Sequence, residues 1–448
     1  MFGMSVRRPA GGTGSTIDSV TIQPGWVDWE AALSHPNTSE EARADRAMLE
    51  LPTDGPVVMS GHQPIGFHPG IASKLAALMV AAEQTKSGAL WVVPDQDAVD
   101  PLLVRVPEGR GDSLRERTVR LGPMVVSGVA SASLPSVQSI EMPLPEHLEP
   151  LRERLLAHAG EPTLARQVAL ATIPLAAEWL GVGTPTIVFA SELMRTHGVR
   201  GILDAIERDA HAAVDAYNDA VRAHGDAGVR PLLAEGDRVE LPLWRARRGS
   251  ARVVVFADEL GSIPEGELLP RGLVMTGGAR RTLGELFIHG TGGWAYDKIT
   301  ERWLQDWLGE ANAPIALVSA TQRLDLFDGG DAIDPEEALW RAHHARHDPG
   351  LLGDDAAAAE KQLIIERINE TKGSGGDPSE LFAGLQRLLQ AYRSEHADEL
   401  AEIERRADNA KKHRMAYELA MDRTWPFVNF DRESGLALTE RVRSAMGG

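Results

Sequence analysis

Apolar and polar positions change rhythm along this chain, and each change marks an element. Val57-Val58-Met59 is a continuous apolar run, the pattern of a short strand buried on both faces. It ends in Ser60-Gly61-His62-Gln63-Pro64 and Ile65-Gly66-Phe67-His68-Pro69-Gly70. From Ile71 to Gln84 the apolar residues recur at helical spacing, with Leu75, Leu78 and Met79 in phase. Ala89-Leu90-Trp91-Val92-Val93 is a second buried run, stopped by Pro94-Asp95-Gln96-Asp97. Strand, helix and strand in such quick succession predict a right-handed crossover within a parallel sheet.

The pattern continues in the same style. Pro143 to Gly181 reads as helical, broken near Gly160 and Pro162, and Pro185 to Ala190 reads as a strand followed by helix to about Ala223. Asp237 to Asp258 alternates around Gly249-Ser250, the mark of an edge hairpin. Leu286-Phe287-Ile288 is a strand leading through His289-Gly290-Thr291-Gly292-Gly293 into a helix from Trp294 to Leu308. Pro314 to Val318 is a further strand, and Asp328-Gly329-Gly330-Asp331 reads as a turn leaving the core.

The two ends differ from this middle. Residues 1 to 50 read as an N-terminal extension, with a Gly/Ser/Thr-rich flexible arm up to Ser19 and with Trp26 and Trp29 packing it onto the body. The last hundred residues are helical: Asp354 to Thr371, a break at Gly373 to Pro378, then a longer helix from Ser379 to about Arg423. Leu381, Leu385, Leu388 and Tyr392 step by heptad-like intervals, with a phase shift at His396. Such a seam suits either a long helix packed on its own domain or a coiled-coil-like hairpin used for homodimerisation. The expected organisation is an extension (1–50), an α/β core (51–335) with a helical insertion near 139–232, and a C-terminal helical module (336–448).

Composition narrows the function. Lys and Arg number 46 against 65 Asp and Glu, a net charge of −19. Such a chain repels a phosphate backbone and anionic membrane surfaces, and no long basic run offsets this, so neither nucleic acid nor membrane is an expected partner. The absence of cysteine excludes disulfides, Cys-ligated metal centres and Cys nucleophiles. Arg7 and Arg8 precede a polar stretch rather than a signal-peptide core, so the cytoplasm is the expected compartment.

Three strands share one design, an apolar run and then a polar or glycine-rich turn. They end at His62-Gln63, at Asp95-Gln96-Asp97 and at His289 to Gly293. Ligands of open parallel sheets sit outside the carboxyl ends of the strands, so three parallel strands would bring these turns together. His62 and His289 suit hydrogen bonding to a phosphoryl or carboxyl oxygen, or acid–base work near neutral pH. Asp95 and Asp97 suit an ammonium group, a sugar hydroxyl or a Mg²⁺ ion, although no metal site follows from spacing. Gly61, Gln63, Lys74, Gly290, Thr291, Gly292, Gly293, Tyr296 and Asp297 complete the candidate anion and substrate site. The glycines would expose backbone N–H groups at a helix start. Asp297 also suits the positive end of its own helix, and Lys298 and Glu301 read as solvated. His343 and His347 share a helix face at metal-ligand spacing, but flanking Arg341 and Arg346 oppose a cation, so a solvated or interface helix is expected. The P-loop, the Gly-x-Ser-x-Gly elbow and His-Glu-x-x-His are all missing from the sequence.

Ser60-Gly61-His62-Gln63-Pro64, Gly70 and Lys74 resemble the Gly-Gln-Gln-x-Gly…Gly-Pro-Leu-Tyr…Tyr-Lys stretch of the cysteine-adding enzymes of bacillithiol biosynthesis. Trp91 to Asp97 sits where that family has a strand followed by Glu-Asp-His-Asp, and His289 to Asp297 where it has Gly-Gly-Pro-Gly-Glu-x-x-Tyr. The likeness covers Gly55 to Pro107 and Thr282 to Arg323, and the terminal long helix is similar to the family's coiled-coil dimer module. It implies a Rossmann-like core and a ligase-type condensation of a carboxylate-bearing molecule, cysteine in the family, with the amine of an amino sugar. ATP or ADP is the candidate cofactor. The alternative is a non-catalytic ligand-binding or assembly protein of the same fold, because Pro94 to Asp97 lacks the family's Glu and His.

Overall fold

The computed structural model describes residues 14–236, 238–326 and 333–447. Arg7, Arg8 and the turn at Asp328 to Asp331 lie outside the described residues. The chain is a mixed α/β protein and divides into two compact units. The first comprises residues up to Val106, Arg117–Asp325 and Arg423–Gly448; the second comprises Pro107–Glu116 and Leu326–Asp422.

The first unit is built on a six-stranded sheet of β1 (Ser15–Gln23), β2 (Val57–Gly61), β3 (Gly88–Val93), β4 (Thr186–Phe189), β5 (Leu286–His289) and β6 (Ile315–Leu324). The spatial order is β1-β6-β5-β2-β3-β4. β2 to β6 are parallel, and β1 pairs antiparallel with β6. From β2 the chain steps to β3 and β4 on one side, then returns to β5 and β6 on the other. The order therefore reverses between β2 and β5, and a crevice opens there at the carboxyl ends of the strands.

Six helices of this unit matter for the site: α1 (Pro69–Thr85), α2 (Leu164–Leu180), α3 (His197–Arg208), α4 (Ala210–Ala223), α5 (Gly272–Thr282) and α6 (Thr291–Leu308). α1 carries an almost uniformly buried sequence and packs on β6, β2 and α2. His68 caps it by accepting from the Gly70 N–H at 3.1 Å. α6 packs against α4 and α5. Alternation along β2 sends Val57 and Met59 into one core with Phe287, Ile202, Val214, Val274 and Trp303. The sequence hairpin at 237–258 is present as Arg238–Arg245 against Val253–Phe256, in a small separate sheet with Leu268–Pro270.

The N-terminal segment corrects one expectation. Residues 15–23 are a strand of the central sheet, not a flexible arm. Their Ser/Thr content suggested a linker, but Ile17, Val20 and Ile22 supply enough apolar surface for an edge strand. Trp29 is fully buried and donates to the Pro24 carbonyl at 3.1 Å. The helix Glu40–Met48 is anchored by a buried pair, Arg46 to Glu285 at 2.5 Å.

The second unit is helical: α7 (Pro335–Ala345), α8 (Asp355–Gly373), α9 (Ser379–Glu395), α10 (Ala397–Lys412) and α11 (Arg414–Met421). α8 packs on α9, and α7 on α10, while the Tyr392 hydroxyl of α9 donates to the Ala345 carbonyl at the end of α7 at 2.7 Å. The expected long helix is interrupted twice, at His396 and His413, each of which ends one helix and starts the next. Chain 423–448 leaves this module and returns to the first unit, where α12 (Arg432–Ala445) packs on α1, α2 and β1.

Candidate functional site

β2 and β5 are hydrogen-bonded neighbours with Ser60 opposite Ile288, so His62 and His289 emerge side by side. The Ser60 hydroxyl donates to the Ile288 carbonyl at 2.8 Å and ties the two strands together. Beyond their ends lies a cavity of about 470 Å³, large enough for a nucleotide-sized or smaller metabolite.

Its walls come from both halves of the sheet. The β2 turn and α1 supply Gly61, His62, Gln63, His68 and Lys74. The β5 turn and α6 supply His289, Gly290, Thr291, Gly292, Gly293 and Tyr296. Met275 and Thr276 of α5, Ser319 of β6 and Arg423 close it. None of the described residues lining it is Asp or Glu.

Lys74 is buried, and its Nζ donates to the Gly61 carbonyl at 2.6 Å and lies 5.5 Å from the Trp91 ring centre. No described carboxylate pairs with it. Burial pulls its ammonium down to about 7. His62 Nδ1 is buried without a hydrogen-bond partner. Burial and then the neighbouring Lys74 push the His62 imidazole well below its usual value. α6 starts at Gly290 with no side-chain cap, leaving the N–H groups of its first turn open to the cavity.

The glycines divide the work differently from the sequence expectation. At Gly61 a β-carbon would meet the Val92 carbonyl oxygen at 2.2 Å, so the close approach is to the neighbouring strand. At Gly293 it would meet His289 Nδ1 at 2.5 Å. Gly290 and Gly292 are unobstructed apart from the Lys74 stem at 3.8 Å from a β-carbon at Gly290.

Asp95 and Asp97 do not reach the cavity, which corrects their expected place there. Asp95 is buried with its carboxylate turned to Ser191, accepting from the N–H at 2.9 Å and the hydroxyl at 2.5 Å. It caps the helical turn Ala190–Leu193, and burial pushes it up to about 6 against those hydrogen bonds. Asp97 pairs with Arg252 at 3.3 Å. Asp297 is also displaced from its expected anion-binding role. It is fully buried behind the cavity wall and binds His289 Nε2 and Arg280 Nη1, each at 2.8 Å. Glu301, expected to be solvated, holds the other Arg280 nitrogen at 2.5 Å, whereas Lys298 lies over the Trp294 ring at 5.1 Å.

Met275, Thr276, Ser319 and Arg423 carry no local motif, and they come from segments far apart in sequence. His343 and His347 sit with ring centres 6.1 Å apart, and the His347 ring pairs with Arg393. No described group of three or more His, Asp or Glu is arranged to hold a metal. No described helix is long and apolar enough to cross a membrane. The chain matches no protein-family model and no curated protein.

Proposed function

We propose that this protein is an α/β enzyme of the transferase or ligase type that binds an anionic small molecule at the β2/β5 crevice of a Rossmann-like core. One observation carries the reading. In a chain of net charge −19, the cavity is lined by Lys74, Arg423, three imidazoles and an uncapped helix N-terminus, and by no described carboxylate. Preorganised N–H groups and cations in a partly closed site favour a phosphate or carboxylate, and stabilise charge developing on it during group transfer.

The same lining favours particular partners for that anion. An ammonium would find no counter-charge, so the condensing amine enters neutral, the form that acts as nucleophile. A phosphate-bearing or acyl-phosphate ligand fits better than a free zwitterionic amino acid such as cysteine. ATP and ADP fit the charge requirement as cofactors. Calorimetric titration with ATP, ADP, inorganic phosphate, amino acids and amino sugars tests this. Binding of the phosphate-bearing ligands is expected, and silence from all of them overturns the reading.

A second reading, a non-catalytic binding or assembly protein, is favoured by the engagement of Asp95 and Asp97 with Ser191 and Arg252. Self-association through the C-terminal helices is supported by Leu363 and Phe382, 61% and 40% exposed on α8 and α9. Sedimentation of the full chain at monomer mass would end the dimer proposal.

A further inference from the structure

The cavity is backed by a charge network that anion binding alone does not use. Asp297 Oδ2 accepts from His289 Nε2 and Arg280 Nη1, both at 2.8 Å, and Oδ1 accepts from the Thr276 hydroxyl at 2.6 Å. Arg280 is in turn fixed by Glu301 at 2.5 Å and by the Ala313 carbonyl at 2.7 Å. Asp297 and the Arg280 side chain are fully buried. A cluster so completely satisfied holds each member in one orientation.

The protonation states follow. Burial pushes the Asp297 carboxyl up, but the adjoining His289 and Arg280 and the hydrogen bonds outweigh it and hold Asp297 well below the usual carboxylate range. An ionised carboxylate only accepts, so the hydrogen between the two residues sits on His289 Nε2. Burial lowers the His289 imidazole by more than Asp297 raises it, which leaves the ring neutral at pH 7 with a lone pair on Nδ1. That nitrogen faces Gly293, where any β-carbon would lie 2.5 Å away. A side chain at 293 would cover Nδ1, beside the first-turn N–H groups of α6 that no side chain caps.

The geometry points to His289 as the general base of the reaction in this cavity, with Asp297 as the positioning residue that fixes its tautomer and Arg280 and Thr276 holding Asp297 in place. The inference rests on the anion-site reading and extends it to a second substrate bearing an amine or hydroxyl. The N–H or O–H bond of that group breaks, and its proton forms an Nδ1–H bond. The electron pair left behind forms the new bond to the acyl or phosphoryl centre of the bound anion. The leaving oxygen departs with its bonding pair and takes the proton from Nδ1, which restores the neutral ring. Between the two transfers, Asp297 pairs with the imidazolium.

Long-range ¹H–¹⁵N NMR of the histidine-labelled full chain at pH 7 tests this without a known substrate. His289 is expected as the Nε2–H tautomer with a bare Nδ1, and Asp297→Asn is expected to lose that single tautomer. Should Asp297→Asn fail to fold, Gly293→Ala keeps the test alive. Diethyl pyrocarbonate, which acylates an imidazole lone pair, is expected to modify His289 in the parent chain, with that modification lost in Gly293→Ala. An Nδ1–H tautomer or an imidazolium at pH 7, or equal acylation of both chains, overturns the assignment. Inorganic phosphate is expected to protect His289. Failure to protect, with the expected tautomer seen, overturns the anion site while leaving the dyad standing.

Discussion

Lys74 Nζ donates to the Gly61 carbonyl oxygen across 2.6 Å, and no described carboxylate neutralises it. The strand that opens the crevice thus holds the tip of the helix-borne cation at the crevice floor. A lysine in that position is a weak cation, which a bound anion would strengthen.

Stability should therefore rise with pH through a window set by Lys74. Its folded value is about 7, below the ordinary 10.5. Between those values the unfolded chain holds a proton that the folded chain lacks, so raising the pH favours folding. Calorimetric melting from pH 7 to pH 9.5 is expected to show this upward trend, flattened in Lys74→Met. An unchanged trend in the variant would assign it elsewhere.

Phosphate binding above pH 7 should draw a proton onto Lys74, because a bound anion favours the charged form. Titrations at pH 8 in buffers of different ionisation enthalpy are expected to reveal net proton uptake. Lys74→Met should lose the uptake and about 1.5–3 kcal/mol of affinity, the range for a charge-assisted hydrogen bond. Equal proton uptake and affinity in both proteins would exclude Lys74 from the site.

Asp95 gives the opposite result. Asp95→Ala is expected to cost about 1 kcal/mol of stability at pH 7 as a lost cap, while phosphate affinity stays unchanged. The folded carboxyl is raised to about 6 from 3.8. Its proton-linked stability is therefore complete below that ordinary value and lost as pH rises through about 6. Urea unfolding at pH 4 and pH 7 checks both points, and a large fall in phosphate affinity would return Asp95 to the cavity.

Removing the Arg280 charge should be severe. Arg280→Met leaves Asp297 buried with one cation fewer, a loss of about 3–5 kcal/mol. Urea midpoints measure it, and a loss below about 1 kcal/mol would mean that the network is far more plastic than its hydrogen bonds imply.

Two glycines separate backbone need from ligand access. Gly61→Ala places a methyl 2.2 Å from the Val92 carbonyl oxygen and should prevent β2 and β3 from pairing in register. Gly290→Ala meets nothing closer than the Lys74 stem at 3.8 Å and should fold normally. Circular dichroism melts of the two variants test the contrast.

The parallel core was legible because Val57-Val58-Met59 and Ala89 to Val93 are unbroken apolar runs, which only a doubly covered strand accommodates. The clustering of His62 and His289 followed from strand ends, and that of Lys74 from its place in the second turn of the helix that follows. Orientation was not legible. Asp95 stands at a strand end, yet its carboxylate turns to a helix start that arrives almost a hundred residues later. Asp297 lies one helical turn beyond Gly293, but spacing cannot tell which side faces Arg280. Arg423 read as the end of a helix because its partner surface, beside Ser319, exists only after the chain has folded back.

The Ser15 hydroxyl donates to Ser434 at 2.7 Å, and Gln322 on β6 donates to both residues. The seam of the parallel sheet is thus closed by segments that a ribosome produces more than four hundred residues apart. During translation the helical second unit emerges whole, while the first unit still waits for α12. Stalled or truncated synthesis before that helix would release a chain with an uncovered sheet, a ready target for chaperones.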